Sequence, residues 1–159
     1  KKALIELDPK NKAIYEKNHN GYQNKLTELN LWIETEINRI PKEKRILVTA
    51  HDAFNYFGNK YNFKVVGLQG INTTSQAGTK DIQKVANIIL KHRVPTIFIE
   101  SSVPVRQIEA VKDAVNAKGW NVKIGNELFT DAMGDKATEE STYIGMIRHN
   151  ISSIVNGLK

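Results

Sequence analysis

The chain has no cysteine. Disulfides, thiolate metal sites and cysteine nucleophiles are therefore excluded. No apolar run reaches the roughly 18 residues that a membrane-spanning helix requires. No secretory leader is visible either. The opening "KKALIELDPKNKAIY" has no initiator methionine and reads as mid-structure, so the expectation is a piece of a longer protein whose export signal lies upstream. Glycine is missing where a nucleotide enzyme would need it: "TAHDAF" follows the first apolar run with no phosphate-cradling glycine. No G-x-S-x-G elbow accompanies Ser101 and Ser102, so these serines read as helix caps before Pro104 rather than nucleophiles. Net charge is +6. The lysines are spread over helical faces, and the tightest cluster, "PKEKR" at 41–45, lacks the aromatic interleaving of a single-strand binder, so no nucleic-acid partner is expected.

What is present reads as one globular unit of α/β class. Asp8-Pro9 is a helix start, with a capping carboxylate and proline at the first helical position. Apolar spacing through Ile14, Tyr22, Leu26, Leu29, Ile33 and Ile37 carries that helix to Pro41. At about 30 residues it would be roughly 45 Å long, more than a domain of this size needs. From Arg45 the pattern alternates. Apolar runs at 45–50, 63–68, 95–100 and 121–125 read as strands, separated by helices of 10–16 residues and followed by a last helix from near Thr138. The expectation is a four-stranded parallel sheet flanked by helices, residues 42–159, preceded by a long helix over residues 1–41. Asp52 is placed to cap the short helix after strand one.

In such a sheet, ligands bind beyond the carboxyl ends of the strands. Strand one ends in His51, strand three in Glu100, and the loop after strand four carries Glu127 and Asp131. One imidazole and several carboxylates thus share an edge. His51 and Asp131 are ligand types for zinc or manganese, though they lie far apart in sequence and no local spacing certifies them. Glu100 could accept from an imidazole N–H or pair with Arg106. His149 on the last helix fits a packed histidine. His19 and His92 read as exposed.

Several stretches in order make the pattern specific: "VTAHDAFNYF", "VVGLQGINTTSQAGTKDIQ", "FIESSV", "LFTDAMG" and "STYIGMIRHNISSIV". Together they resemble the C-terminal lobe of bacterial metal-binding solute-binding proteins, the zinc/manganese receptors of ABC importers in the TroA-like superfamily. The resemblance implies two α/β lobes joined by one long rigid helix, with a divalent ion held between them by two ligands from each lobe. The third ligand falls in a "T-x-[H/E]-x-A-F" motif and maps onto His51. The fourth falls in "[FY]-[TS]-D" and maps onto Asp131. The two histidines of the N-terminal lobe are outside this sequence. Glu100, Arg106 and His149 are candidates for orienting the ligands from behind.

Manganese-directed relatives typically have glutamate at the third position. Histidine here favours zinc, with manganese next, because imidazole suits zinc and an all-oxygen shell suits manganese. The implied partners are the metal, a membrane permease and the N-terminal lobe, at an extracytoplasmic location. Apolar surface bared without that lobe would favour self-association. The expected function is non-enzymatic, because four protein ligands would leave no open position for an activated water. The alternatives are a metal-assisted hydrolase built on His51, Asp131 and Glu100, or a surface adhesion domain.

Overall fold

The computed structural model describes residues 1–70, 77–100 and 104–159. Ser101, Ser102 and most of the "QGINTTSQAG" loop lie outside the described residues. The chain divides into two compact units, Lys1–Thr35 and Glu36–Lys159.

The first unit is helical. A short helix α1 (Lys2–Leu7) precedes Asp8, which the sequence pattern does not suggest. A 3-10 turn at Pro9–Asn11 then leads into α2 (Lys12–Ile37), 26 residues long and so about 39 Å. Proline sits at the first position of the turn, as its fixed φ favours. The Asp8 carboxylate differs from the expected backbone cap. It accepts from the Asn11 amide at 2.7 Å and the Tyr15 hydroxyl at 2.9 Å, and these donors hold its carboxyl below the ordinary carboxylate range.

The second unit is α/β. Strand β1 (Ile46–His51) is buried at every position. It pairs in parallel with β2 (Lys64–Gln69) in the register Ile46–Lys64 to His51–Gln69. Strands β3 (Thr96–Ile97) and β4 (Lys123–Ile124) form a second parallel pair. Phe98 N–H donates to the Val48 carbonyl at 2.9 Å and joins the two pairs. The expected four-stranded sheet is therefore present as two parallel pairs with a seam between β1 and β3. Every position of β1 is buried, so both of its faces are covered, which is why "ILVTAH" does not alternate. Beyond β3 the bonding becomes irregular. Leu128 N–H reaches the Ile99 carbonyl at 2.9 Å, and Glu100 bridges Leu128 as an isolated parallel pair.

Helices α3 (Asn55–Tyr61), α4 (Thr79–His92), α5 (Arg106–Asn116) and α6 (Tyr143–Leu158) cover the strands. Val85, Ala86 and Ile89 of α4 and Ile108, Val111 and Val115 of α5 form the buried stripes, at the i, i+3, i+4 spacing of amphipathic helices. The buried Arg45 guanidinium satisfies carbonyls left open after α2, from Nε to Ile40 at 3.1 Å and from Nη2 to Ile37 at 3.3 Å. Helix α6 starts later than Thr138. Thr138 opens a separate 3-10 turn at Glu139–Ser141, and Thr142 caps α6 by accepting from Gly145 N–H at 3.1 Å. Gly145 is required here, because a Cβ would overlap the Glu139 carbonyl oxygen.

Candidate metal centre

His51 is the last residue of β1 and is 5% exposed. Its burial follows from its position in a strand buried at all six positions. The Thr49 hydroxyl donates to the His51 carbonyl at 2.9 Å, and the His51 N–H donates to Glu100 Oε1 at 3.0 Å. The other carboxylate oxygen, Oε2, is in contact with the ring Nδ1, without the alignment of a formed hydrogen bond. Glu100 thus addresses both the backbone and the ring of one residue.

This arrangement fixes the role of each ring nitrogen. A carboxylate beside Nδ1 favours the proton on that atom, which leaves the Nε2 lone pair facing outward. Nε2 stands 3.5 Å from Asp131 Oδ2. Asp131 is 64% exposed at its side chain while His51 is 6% exposed at its own, so the pair runs from the sheet edge toward solvent. Two donors bound to one ion at about 2.0–2.2 Å with a tetrahedral angle between them would stand about 3.4 Å apart. The observed separation suits that bite. Among the described residues, no group of three or more His, Asp or Glu side chains could enclose an ion. The arrangement is a two-donor edge with one carboxylate behind it.

Burial pushes the Glu100 carboxyl above its ordinary value, and the His51 N–H, the nearby His51 ring, the Ala50 N–H and the Thr130 hydroxyl all act in the opposite direction. A carboxylate kept this dry needs nearby positive charge or donors to stay ionised. A cation on Nε2 would add to that support. Thr130 is a residue that motif reading passed over. Its hydroxyl ties buried Glu100 to the segment that carries Asp131, and its place directly before Asp131 in "FTD" was the available signal.

The remaining expected residues separate. Arg106 opens α5 on the surface and makes no ion pair with Glu100 among the described residues. Of the two alternatives for Glu100, the contact present is the one with His51, whose backbone N–H donates to one oxygen and whose ring lies against the other. Asp52 does not cap α3, whose N-cap is Phe54 with no side-chain bond. Its carboxylate lies instead against Gly67 of β2, where a Cβ would collide with it. His149 lies against the segment that leads to Asp131 rather than against His51 or Asp131. Its Nε2 faces the Glu127 carbonyl at 2.9 Å and its Nδ1 faces Glu140 Oε1 at 3.1 Å. His19 and His92 are exposed.

Residues 1–157 match the family model of zinc-uptake complex component A periplasmic proteins. The chain is 46% identical over 156 residues to the zinc-binding protein TroA of Treponema pallidum, covering 98% of this chain and 51% of that protein. It is 46% identical over 151 residues to the manganese-binding lipoprotein MntA of Bacillus subtilis, covering 95% of this chain and 49% of that protein. The solved periplasmic zinc-binding protein TroA from Treponema pallidum superposes with a TM-score of 0.94 at 46% identity, over 99% of this chain and 57% of that one. The chain spans about half the length of the curated relatives it matches.

Proposed function

The chain belongs to the family of zinc-uptake complex component A periplasmic proteins, and on that premise we propose that it is one half of a receptor that captures a divalent metal ion for an ABC importer. The metal is cargo. It enters as a hydrated ion, exchanges water for the His51 Nε2 lone pair and an Asp131 oxygen, and is enclosed when two further ligands close over it from another lobe. Glu100 keeps the His51 proton on Nδ1, so the lone pair is available without ring reorientation. Asp131, on the solvent side, meets the ion first and offsets part of its charge. Capture and release need no bond-making in a substrate, and the relatives named above are a zinc-binding protein and a manganese-binding lipoprotein.

The observation that carries this reading is the 3.5 Å separation of Nε2 and Oδ2. Zinc is the favoured cargo, with manganese next, since an imidazole at the sheet edge and a near-tetrahedral bite suit zinc. Relatives of both kinds are among the matches. The Lys1–Thr35 unit carries exposed Leu4, Leu7, Ile14, Tyr22 and Leu31, with Leu7 at 84%. These apolar side chains support its role as a helix bracing a second lobe, and they favour self-association when that lobe is absent. The receptor would work outside the cytoplasmic membrane, next to its permease. Among the described residues no helix is long and apolar enough to cross a membrane.

The test is calorimetric titration of the two-lobed protein containing this half with zinc and with manganese, in wild-type form and as His51→Ala and Asp131→Ala. Either substitution should weaken binding at least about a hundredfold, equivalent to about 2.7 kcal/mol. Binding unchanged in both variants would refute the assignment.

A further inference from the structure

Helix α6 grips the segment that carries Asp131. Asn150, 3% exposed, donates to the Phe129 carbonyl at 2.7 Å and accepts the Phe129 N–H at 2.9 Å. One residue earlier, His149 lies edge-on to the Phe129 ring with centroids 5.1 Å apart, and its Nε2 faces the Glu127 carbonyl. Its Nδ1 faces Glu140, which the Gly145–Glu139 close approach holds against the start of α6. Two backbone positions of the segment that leads to Asp131, 127 and 129, are thus tied to two adjacent residues of one helix.

The chemistry of the His149 partners is one-sided. A carbonyl oxygen only accepts, so Nε2 must carry a proton. An ionised Glu140 also only accepts, so Nδ1 must carry one too. Glu140 is held below the ordinary carboxylate range by its own backbone N–H, the Thr138 hydroxyl and the His149 ring, which keeps it ionised. Both contacts are satisfied together only by an imidazolium. Glu140, from the 3-10 turn, is the charged side chain shown against the ring. The 126–131 segment presents the Glu127 carbonyl and the Phe129 ring, and on α6 the charged neighbour in sequence is Arg148, which is exposed.

We propose that His149 is a proton-dependent positioning residue: as an imidazolium it bridges Glu140 and the Glu127 carbonyl and, with Asn150, sets the segment that places Asp131 opposite His51. On deprotonation the remaining proton stays beside the charged acceptor, Glu140, because a charge-assisted bond is the stronger one. The Glu127 carbonyl then loses its His149 donor, and of the two α6 residues only Asn150 still holds the Asp131 segment. The metal-receptor reading enters only in saying what Asp131 is positioned for.

The test is a pH titration of the ¹⁵N-labelled chain, following the His149 ring nitrogens and the backbone amides of residues 127–131. The amides of Phe129 and Asp131 should shift with the same midpoint as the His149 ring. In His149→Gln, whose amide can still donate to the Glu127 carbonyl, that component should vanish while the melting temperature is kept. His149→Gln leaves the 3.5 Å contact of His51 with Asp131 in place, so the difference between wild type and variant isolates the His149 part. Glu140→Gln should lower the shared midpoint. In the two-lobed protein, His149→Gln should remove one proton-linked component from the pH profile of zinc affinity. Identical Asp131 titrations in wild type and His149→Gln, or different midpoints for ring and amides, would overturn the proposal. Adding zinc separates the two readings. A His51 response with no His149-linked component removes this proposal alone, and no His51 response removes the receptor reading while the clamp stands.

Discussion

Replacing Glu100 by glutamine changes one heavy atom in the candidate metal centre and should change which ring nitrogen of His51 carries the proton. Glu100 is 2% exposed and takes donors from the His51 N–H at 3.0 Å, the Ala50 N–H and the Thr130 hydroxyl, with the His51 Nδ1 against its second oxygen. A glutamine has one acceptor oxygen and one NH₂. The backbone donors cannot move, so the oxygen stays with them and the NH₂ faces the ring. Two donors then meet unless Nδ1 gives up its proton and the ring becomes the Nε2–H tautomer. In that tautomer Nε2 points a hydrogen at Asp131 and has no lone pair for a cation. Binding metal must restore the other tautomer and leave a buried donor unpaired, which costs about 1–3 kcal/mol. That is roughly 5- to 150-fold in affinity, in the range found when the partner of a metal-bound histidine is removed. Stability should not fall, because the variant also removes a carboxylate whose ionisation burial opposes. Calorimetry on the two-lobed protein gives the affinity, and ¹⁵N spectra of the His51 ring give the tautomer. Zinc affinity within about twofold of wild type, or a ring that keeps its Nδ1 proton, would refute the reasoning.

Asn150→Ala removes both bonds to Phe129 from a nearly buried position and should destabilise the chain by about 2 kcal/mol in urea unfolding. A loss below about 0.5 kcal/mol would show that water replaces the clamp freely. Glu140 gives a pH prediction with a definite sign. Its folded-state carboxyl lies below its reference value of 4.5, chiefly through its own backbone N–H and the Thr138 hydroxyl. The stabilisation is therefore complete above that value and is lost as the pH falls through the lower folded-state value. Glu140→Gln should flatten this part of the acid limb in thermal melts from pH 6 to pH 3, and an unchanged acid limb would contradict the pairing.

Much of the fold was legible because its strands are written plainly. "ILVTAH" is an unbroken apolar run ending in a polar residue, and burial on both sides of β1 is what such a run encodes. The later strands were overread. Residues 95–100 look like one strand, yet the regular ladder covers Thr96–Ile97, with single bonds from Phe98 to Val48 and from Leu128 to Ile99 continuing the pairing beyond it. Helix starts depended on choices that pattern does not make. Thr138 and Thr142 are both good caps, and the second opens α6 because the residues between them close a 3-10 turn. Asp52 failed as a cap because β2 offers its side chain a glycine to lie against. At the site, residue types and strand ends pointed to His51, Glu100 and Asp131. The link from Thr130 to Glu100 and the grip of Asn150 on Phe129 depend on how α6 and the loop after β4 approach the sheet edge, a tertiary fact with no local spacing behind it.

The most direct measurement is the ¹⁵N spectrum of the His51 ring as zinc chloride is added to the labelled chain. A pair of donors on one ion requires Nε2 to move to a metal-bound shift while Nδ1 stays protonated against Glu100, with weak affinity because only two ligands are present. Zinc shifting the exposed His19 or His92 while the His51 ring stays unchanged would contradict a metal centre at this sheet edge.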